Sequence, residues 1–281
     1  MRLALAITTY ERPDALAAVL ASVTHQRVAP TEILIADDGS GAETRDLVAG
    51  FIAGSTVAAR HVVQPHDGFR VARLRNLAIA STDCDYLVFV DGDMLLHPEF
   101  IADHLRIARR GFHTQGVRVL ADSRLTRALI ADPARWPGML DPGLGGLRRA
   151  YLLHSAALSG LFRGAANAFV AVKSCNQGFW RDDLVGVNGF NEDMTGWGAE
   201  DKELCARLEH AGVRRQTLLF GGIALHLHHA AASRAALPAN LAVLAATRRE
   251  RKTRCERGLD AHPPSGNMAP PKTGGRACPG N

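Results

Sequence analysis

Asp85-Tyr-Leu-Val-Phe-Val-Asp-Gly-Asp93 decides how this chain reads. A short apolar run rich in β-branched and aromatic residues predicts a buried strand, with its two carboxylates where the chain leaves a sheet. Open α/β sheets bind ligands at that edge. Two carboxylates separated by one glycine can face a divalent cation and leave positions open for phosphate oxygens. The same residue types also form ordinary turns, so Asp91 and Asp93 acquire meaning only from the rest of the chain.

Outward from this stretch, strand-like runs at Leu3–Thr8, Glu32–Ala36, Ala59–Val63 and Tyr86–Val90 alternate with helical patterns at Pro13–His25, Ala42–Ala53, Ala72–Ala80 and Pro98–Arg109. The alternation predicts an α/β fold with a parallel sheet and crossover helices. A fifth strand is expected over Thr114–Leu120, after which the pattern loosens through Pro142–Gly146. It resumes at Ala168–Val172, at Asn176-Gln-Gly-Phe-Trp-Arg181 and in a helix from about Ala199 to Ala211. From Gly258 onward Pro, Gly, Lys and Ser dominate, which predicts a disordered tail. The expected organisation is one domain over 1–235, with a nucleotide-sugar-binding half (1–120) and an acceptor half (165–235), then a basic helix (236–257) and the tail (258–281).

The 281 residues are 47% hydrophobic and 22% charged, an ordinary globular composition, with a formal net charge of +5. Much of the excess lies between Arg248 and Arg257, where six basic residues face two acidic ones. That segment suits a peripheral contact with an anionic membrane or a solvated helix end, and no accompanying module favours nucleic acid. The five cysteines are widely spaced and include no Cys-x-x-Cys, which argues against a disulfide framework or structural zinc. The N-terminal apolar run is too short for a signal segment, and Leu152–Val172 is interrupted by His154, Arg163 and Asn167. The expected location is cytoplasmic, at most peripheral at the inner face of the plasma membrane.

Several loops should share the edge that carries Asp91 and Asp93. Thr8-Thr-Tyr-Glu-Arg-Pro13 follows the first strand and Asp37-Asp-Gly-Ser40 the second. Gly68-Phe-Arg-Val-Ala-Arg-Leu-Arg-Asn76 sets three arginines around a helix start, a plausible diphosphate clamp or an exposed basic face. Gly196-Trp-Gly-Ala-Glu-Asp-Lys-Glu203 places a tryptophan between glycines, able to stack on a sugar ring, ahead of a carboxylate pair that also suits helix capping. In His226-Leu-His-His229, one imidazole could complete a coordination begun by Asp93.

Together these motifs resemble the inverting glycosyltransferases of family 2, over roughly residues 1–230. The Gly-Trp-Gly-Ala-Glu-Asp motif is similar to the signature shared by β-1,4-galactosyltransferases and chondroitin-polymerase-type enzymes. The resemblance implies the GT-A fold, a Rossmann-like three-layer α/β/α sandwich with a mainly parallel central sheet. It also implies Mn²⁺ or Mg²⁺, a UDP-sugar donor, and a saccharide or lipid-linked saccharide acceptor in bacterial surface polysaccharide synthesis. On this basis Thr9, Tyr10, Glu11, Arg12 and Asp38 hold the nucleoside, Arg75 lies near the diphosphate, and Asp91 meets the donor or its metal. Asp93 binds the metal together with His226 or His228. Trp197 lies over donor and acceptor, Glu200 and Asn176 contact the acceptor, and Asp201 is the catalytic base. Two other readings stay open: a haloacid-dehalogenase-like phosphatase with Asp91 as nucleophile and Asp93 as acid, and a noncatalytic carbohydrate-binding relative. The Thr-Thr-Tyr-Glu-Arg turn is not a dinucleotide-binding Gly-x-Gly-x-x-Gly.

Overall fold

The computed structural model describes residues 1–163 and 171–263. Its first half runs β1 (Leu3–Thr9), α1 (Pro13–Thr24), β2 (Glu32–Asp37), α2 (Ala42–Gly54), β3 (Ala58–Val63), α3 (Val71–Ala80) and β4 (Tyr86–Asp91), within a residue or two of the expected bounds. After these come β5 (Met94–Leu96), α4 (Phe100–Ile107), β6 (Phe112–Gly116), β7 (Arg118–Leu120), α5 (Ser123–Ala131) and α6 (Ala156–Leu161). The chain closes with β8 (Asn176–Trp180), α7 (Arg181–Gly186), α8 (Glu200–His210), β9 (Arg214–Leu218), β10 (Ala224–His226) and α9 (Leu237–Arg249). The segment Ala168–Val172, where the pattern is expected to resume, falls largely outside the described residues.

The main sheet has the order β3-β2-β1-β4-β8-β6-β9, parallel except where β8 pairs with β4 and β6. Period-two alternation sorts its residues between two cores. Leu3, Leu5, Ile7, Ile33, Ile35, Val88 and Val90 face one side with Leu16, Val19 and Phe100 of α1 and α4. Ala4, Ala6, Leu34, Ala36, Leu87 and Phe89 face the other, against Leu74 and Ile79 of α3 and Leu204 and Leu208 of α8. Three small alanines on this second face, Ala4, Ala6 and Ala36, leave room for the helices. The expected three-layer, mainly parallel architecture is what forms.

Three expectations are corrected. The single strand at Thr114–Leu120 is two, because the chain leaves the main sheet after Gly116 and enters a small sheet of order β5-β10-β7. A side chain at Gly116 would sit 2.3 Å from the Asn176 amide, so only glycine fits where the chain crosses. The expected basic helix is α9 alone, and the residues after it spend their charge locally. Lys252 pairs with Glu250 (3.2 Å), Arg254 with Asp260 (3.3 Å) and Arg257 with Asp193 (3.0 Å). The tail does not begin at Gly258, since Leu259 is buried among the residues of the second core. Among the described residues no helix is long and apolar enough to cross a membrane, and Cys84, Cys175, Cys205 and Cys255 are buried free thiols.

Candidate active site

Because β2, β1 and β4 are parallel neighbours in register, Asp37 lies beside Thr9, and Asp91 beside Thr8, at one sheet edge. Asp38 there is buried and accepts a hydrogen bond from the Gln64 amide, with His66 Nδ1 3.1 Å away. The exposed Tyr10 ring stacks on His66 with centroids 4.2 Å apart and planes 10° from parallel. Tyr10, His66 and Asp38 therefore form an aromatic and acidic platform; His66 was missed because one histidine in a loop carries no local signal.

Glu11 does not join that platform. Its carboxylate accepts the Gly41 N–H (2.7 Å) and its own N–H donates to Ser40 Oγ (2.9 Å), so it ties the first loop to the second. Its left-handed backbone, φ 49°, is held by those two bonds. The guanidinium of Arg12 instead reaches toward Asp93, with Nη1 3.9 Å from Oδ2. Thr9 is buried at the base of the loop, where its carbonyl accepts the Asp38 N–H.

Arg75 is not a free diphosphate clamp. It is fully buried, donates to Glu200 Oε1 at 2.9 Å, and lies 3.4 Å from Asp91 Oδ1. It thus bridges the end of β4 to the start of α8, and its guanidinium lies 5.2 Å from the centroid of Phe190. Asp91 also accepts from Thr8 Oγ1 at 3.2 Å.

Asp93 turns elsewhere, toward two imidazoles. His229 Nε2 lies 3.2 Å from its Oδ2 and His226 Nε2 3.7 Å from its Oδ1. One ligand-capable atom from each of the three lies within 4.8 Å of the others, and Asp91 is not among them. Asp93 Oδ1 is buried without a hydrogen-bond partner. Burial and the neighbouring Asp91 push the Asp93 carboxyl up to about 6. Burial and the nearby Arg118 push His226 down to about 3, leaving a neutral imidazole able to donate a lone pair. A carboxylate and two imidazoles around an orphaned oxygen fit a divalent cation. Of the two expected histidines, His226 joins this cluster and His228 does not; His229 stands there in its place. Alternation ends with β10 at His226, and the chain then turns, with the His228 N–H donating to Thr126 Oγ1 (2.7 Å).

The Trp197 loop is fastened. Gly196, Gly198 and Ala199 all have positive φ (73°, 109° and 74°), which leaves Trp197 39% exposed above the start of α8. A Cβ on Gly196 would lie 2.3 Å from Ala236, and one on Gly198 2.9 Å from Leu237. The buried Asn240 of α9 donates to the carbonyls of Thr195 (3.1 Å) and Gly198 (2.9 Å), on either side of the tryptophan. Asn240 was invisible in the sequence because its partners lie more than forty residues upstream. Asn240→Ala should cost about 2 kcal/mol for two buried bonds and raise amide hydrogen exchange over 195–199; unchanged exchange there would show the loop holds itself.

At the start of α8, Glu200 and Asp201 are both buried. Desolvation and the adjacent Glu200 push the Asp201 carboxyl up to about 7, against the opposing pull of Arg75. A carboxylate titrating near neutrality is suited to accept a proton. Asn176 is not an acceptor contact: it is wholly buried, donates to Val117 O (2.9 Å) and Gly222 O (2.8 Å), and accepts at Oδ1 from or beside His104 Nε2 (3.0 Å). It fastens β8 to the crossing between the two sheets.

Residues 4–141 match the model of glycosyl transferase family 2, and residues 167–230 match the model described as the N-terminal domain of galactosyltransferase. A validoxylamine A glucosyltransferase from Streptomyces hygroscopicus subsp. limoneus is 27% identical over 232 residues, covering 75% of this chain and 48% of the relative. Chondroitin synthase from Escherichia coli is 28% identical over 106 residues, covering 37% of this chain and 15% of that protein. The chain thus spans about half the length of the glucosyltransferase, and less of the synthase. Among solved structures, S. aureus TarS 1–349 in complex with UDP superposes with TM-score 0.60 at 15% identity, over 88% of this chain and 65% of that one. The mannosyltransferase PcManGT of Pyrobaculum calidifontis, in complex with GDP-Man and Mn²⁺, gives 0.55 at 16% identity, over 88% and 74%. The shared fold is GT-A.

Proposed function

We propose that this chain, which belongs to glycosyl transferase family 2, moves a sugar from a UDP-sugar to a hydroxyl of a saccharide or lipid-linked saccharide, with inversion at the anomeric carbon. One observation carries the reading: Arg75 joins Asp91 to Glu200, uniting the Asp-Gly-Asp turn and the Glu-Asp helix start in one site. Family membership also weighs against the phosphatase reading, and an Asp91 already engaged by Thr8 and Arg75 makes a poor nucleophile.

In this mechanism Tyr10, His66 and Asp38 hold the nucleoside and Arg12 lies toward the diphosphate. Asp93, His226 and His229 would hold Mn²⁺ in preference to Mg²⁺, which favours all-oxygen shells. Such a cation supplies positive charge opposite the departing diphosphate. Trp197 offers its face to the apolar side of a sugar ring. Asp201 takes the acceptor proton as that oxygen attacks the anomeric carbon from the side opposite UDP. Glu200, locked by Arg75, orients the acceptor. The chondroitin synthase relative supports a saccharide acceptor, of the kind built into surface polysaccharides; the reading does not rest on the basic segment after α9.

A nucleotide-sugar panel tests the proposal, scoring UDP release by the purified protein with Mn²⁺ and with EDTA. Metal-dependent release from one donor supports it and names the sugar; no release and no Mn²⁺-dependent UDP binding would overturn it. The ligand assignment has its own test in Mn²⁺ titration with UDP present. His229→Ala should lower Mn²⁺ affinity by more than the roughly 10–100-fold typical of an outer-shell partner, while His228→Ala leaves it near the parent value.

A further inference from the structure

We propose that Arg118 and Lys173 form a subsite for an anionic group, a carboxylate or a phosphate, carried by the acceptor; this rests on the transferase reading above. β7 runs parallel beside β10 with Arg118 opposite Ala224 and Leu120 opposite His226. Alternate residues share a face, so Arg118 and His226 project from the same side of the small sheet. Val119 and Leu225 project from the other and are buried in an apolar cluster. Arg118 therefore stands next to the Asp93 centre by register.

Its guanidinium is poorly matched to the protein. Nη1 contacts Cys175 Sγ at 3.6 Å, and that thiol is neutral because burial pushes it up to about 12. Arg118 Nε is buried without a hydrogen-bond partner. Lys173 is pinned beside it through its backbone: its N–H donates to Gln115 Oε1 (3.1 Å) and its carbonyl accepts from Gln115 Nε2 (3.1 Å). Burial and the neighbouring Arg118 and Arg148 hold the Lys173 ammonium below its ordinary range. Among the described residues neither Arg118 nor Lys173 has a carboxylate within ion-pair distance. Partly buried cations that repel one another are costly until an anion joins them.

Placement assigns that anion to the acceptor. The nucleoside platform is built from the ends of β1, β2 and β3, where Arg70 donates to Pro65 O (2.8 Å) and Arg73 to Gln64 Oε1 (2.9 Å). Arg118 and Lys173 come from chain beyond the Asp-Gly-Asp turn, from β7 and from the segment that leads into β8, and not from the loops of the nucleoside platform. A guanidinium against Cys175 and an ammonium two residues before that cysteine in the chain suit a carboxylate or phosphate.

The test uses the full chain loaded with Mn²⁺ and UDP, titrated calorimetrically with matched probes: methyl β-D-glucuronide against methyl β-D-glucoside, and glucose 6-phosphate against glucose. The charged member of at least one pair should bind at least about tenfold more tightly, and which pair responds separates carboxylate from phosphate. Arg118→Gln and Lys173→Gln should each abolish that preference while UDP affinity stays at the parent value and the thermal midpoint does not fall. Absence of any charged preference, or a preference that both variants keep, overturns the subsite. Parallel loss of UDP affinity also overturns it, because the cations would then serve the leaving diphosphate. Failure of the transferase reading is distinct: the parent would show no Mn²⁺-dependent UDP binding.

Discussion

Asp201→Asn should lower transfer by about 10²–10⁴-fold, the worth of a positioned base, and leave Mn²⁺-dependent UDP affinity close to that of the parent. The substitution keeps the shape of the side chain and removes its negative charge and its ability to accept a proton. In the parent, kcat/KM should fall below the Asp201 value of about 7, because the carboxylate must be ionised to act. Stability should move the other way. A carboxyl whose folded value lies above its ordinary 3.8 favours the folded state when protonated, so stability declines as pH rises from near 4 to about 7. Asp201→Asn should therefore melt above the parent on the alkaline side of that window and match it on the acid side. A variant that loses turnover and UDP affinity together would show Asp201 to be a scaffold residue.

Asp93→Ala should abolish Mn²⁺-dependent UDP binding and reduce transfer by about 10³-fold or more, since a fixed cation opposite a leaving diphosphate contributes several kcal/mol to the transition state. Stripping the parent with EDTA should give the same loss, and EDTA should do nothing further to the variant. Thermal melting separates a metal role from a structural one. Burial and Asp91 make the ionised Asp93 unfavourable without a counter-charge, so Mn²⁺ with UDP should raise the parent's melting temperature and not the variant's. Equal Mn²⁺ shifts in both would place the cation elsewhere.

What the sequence by itself determined is whatever local periodicity encodes. Alternating apolar strands and amphipathic helices specified β1 to β4 and their crossovers to within a residue or two, and parallel connection then carried Thr9, Asp38 and Asp91 to one edge. The Gly-Trp-Gly-Ala-Glu-Asp spacing likewise located Asp201 at the start of α8, because a helix start is a local event. Only the tertiary structure decided partners. Arg75 reads as a phosphate clamp until α8 is packed against α3 and Glu200 takes its guanidinium. Asn176 reads as a site residue until its amide is found spanning the gap between two sheets. His229 displaces His228 because side-chain alternation ends with the strand at His226, and the turn beyond it is shaped by contacts with Asp93 and Thr126. A strand's period is set by its own backbone, whereas the direction in which a buried charge turns is set by whichever opposite charge the fold brings to it, often from more than a hundred residues away.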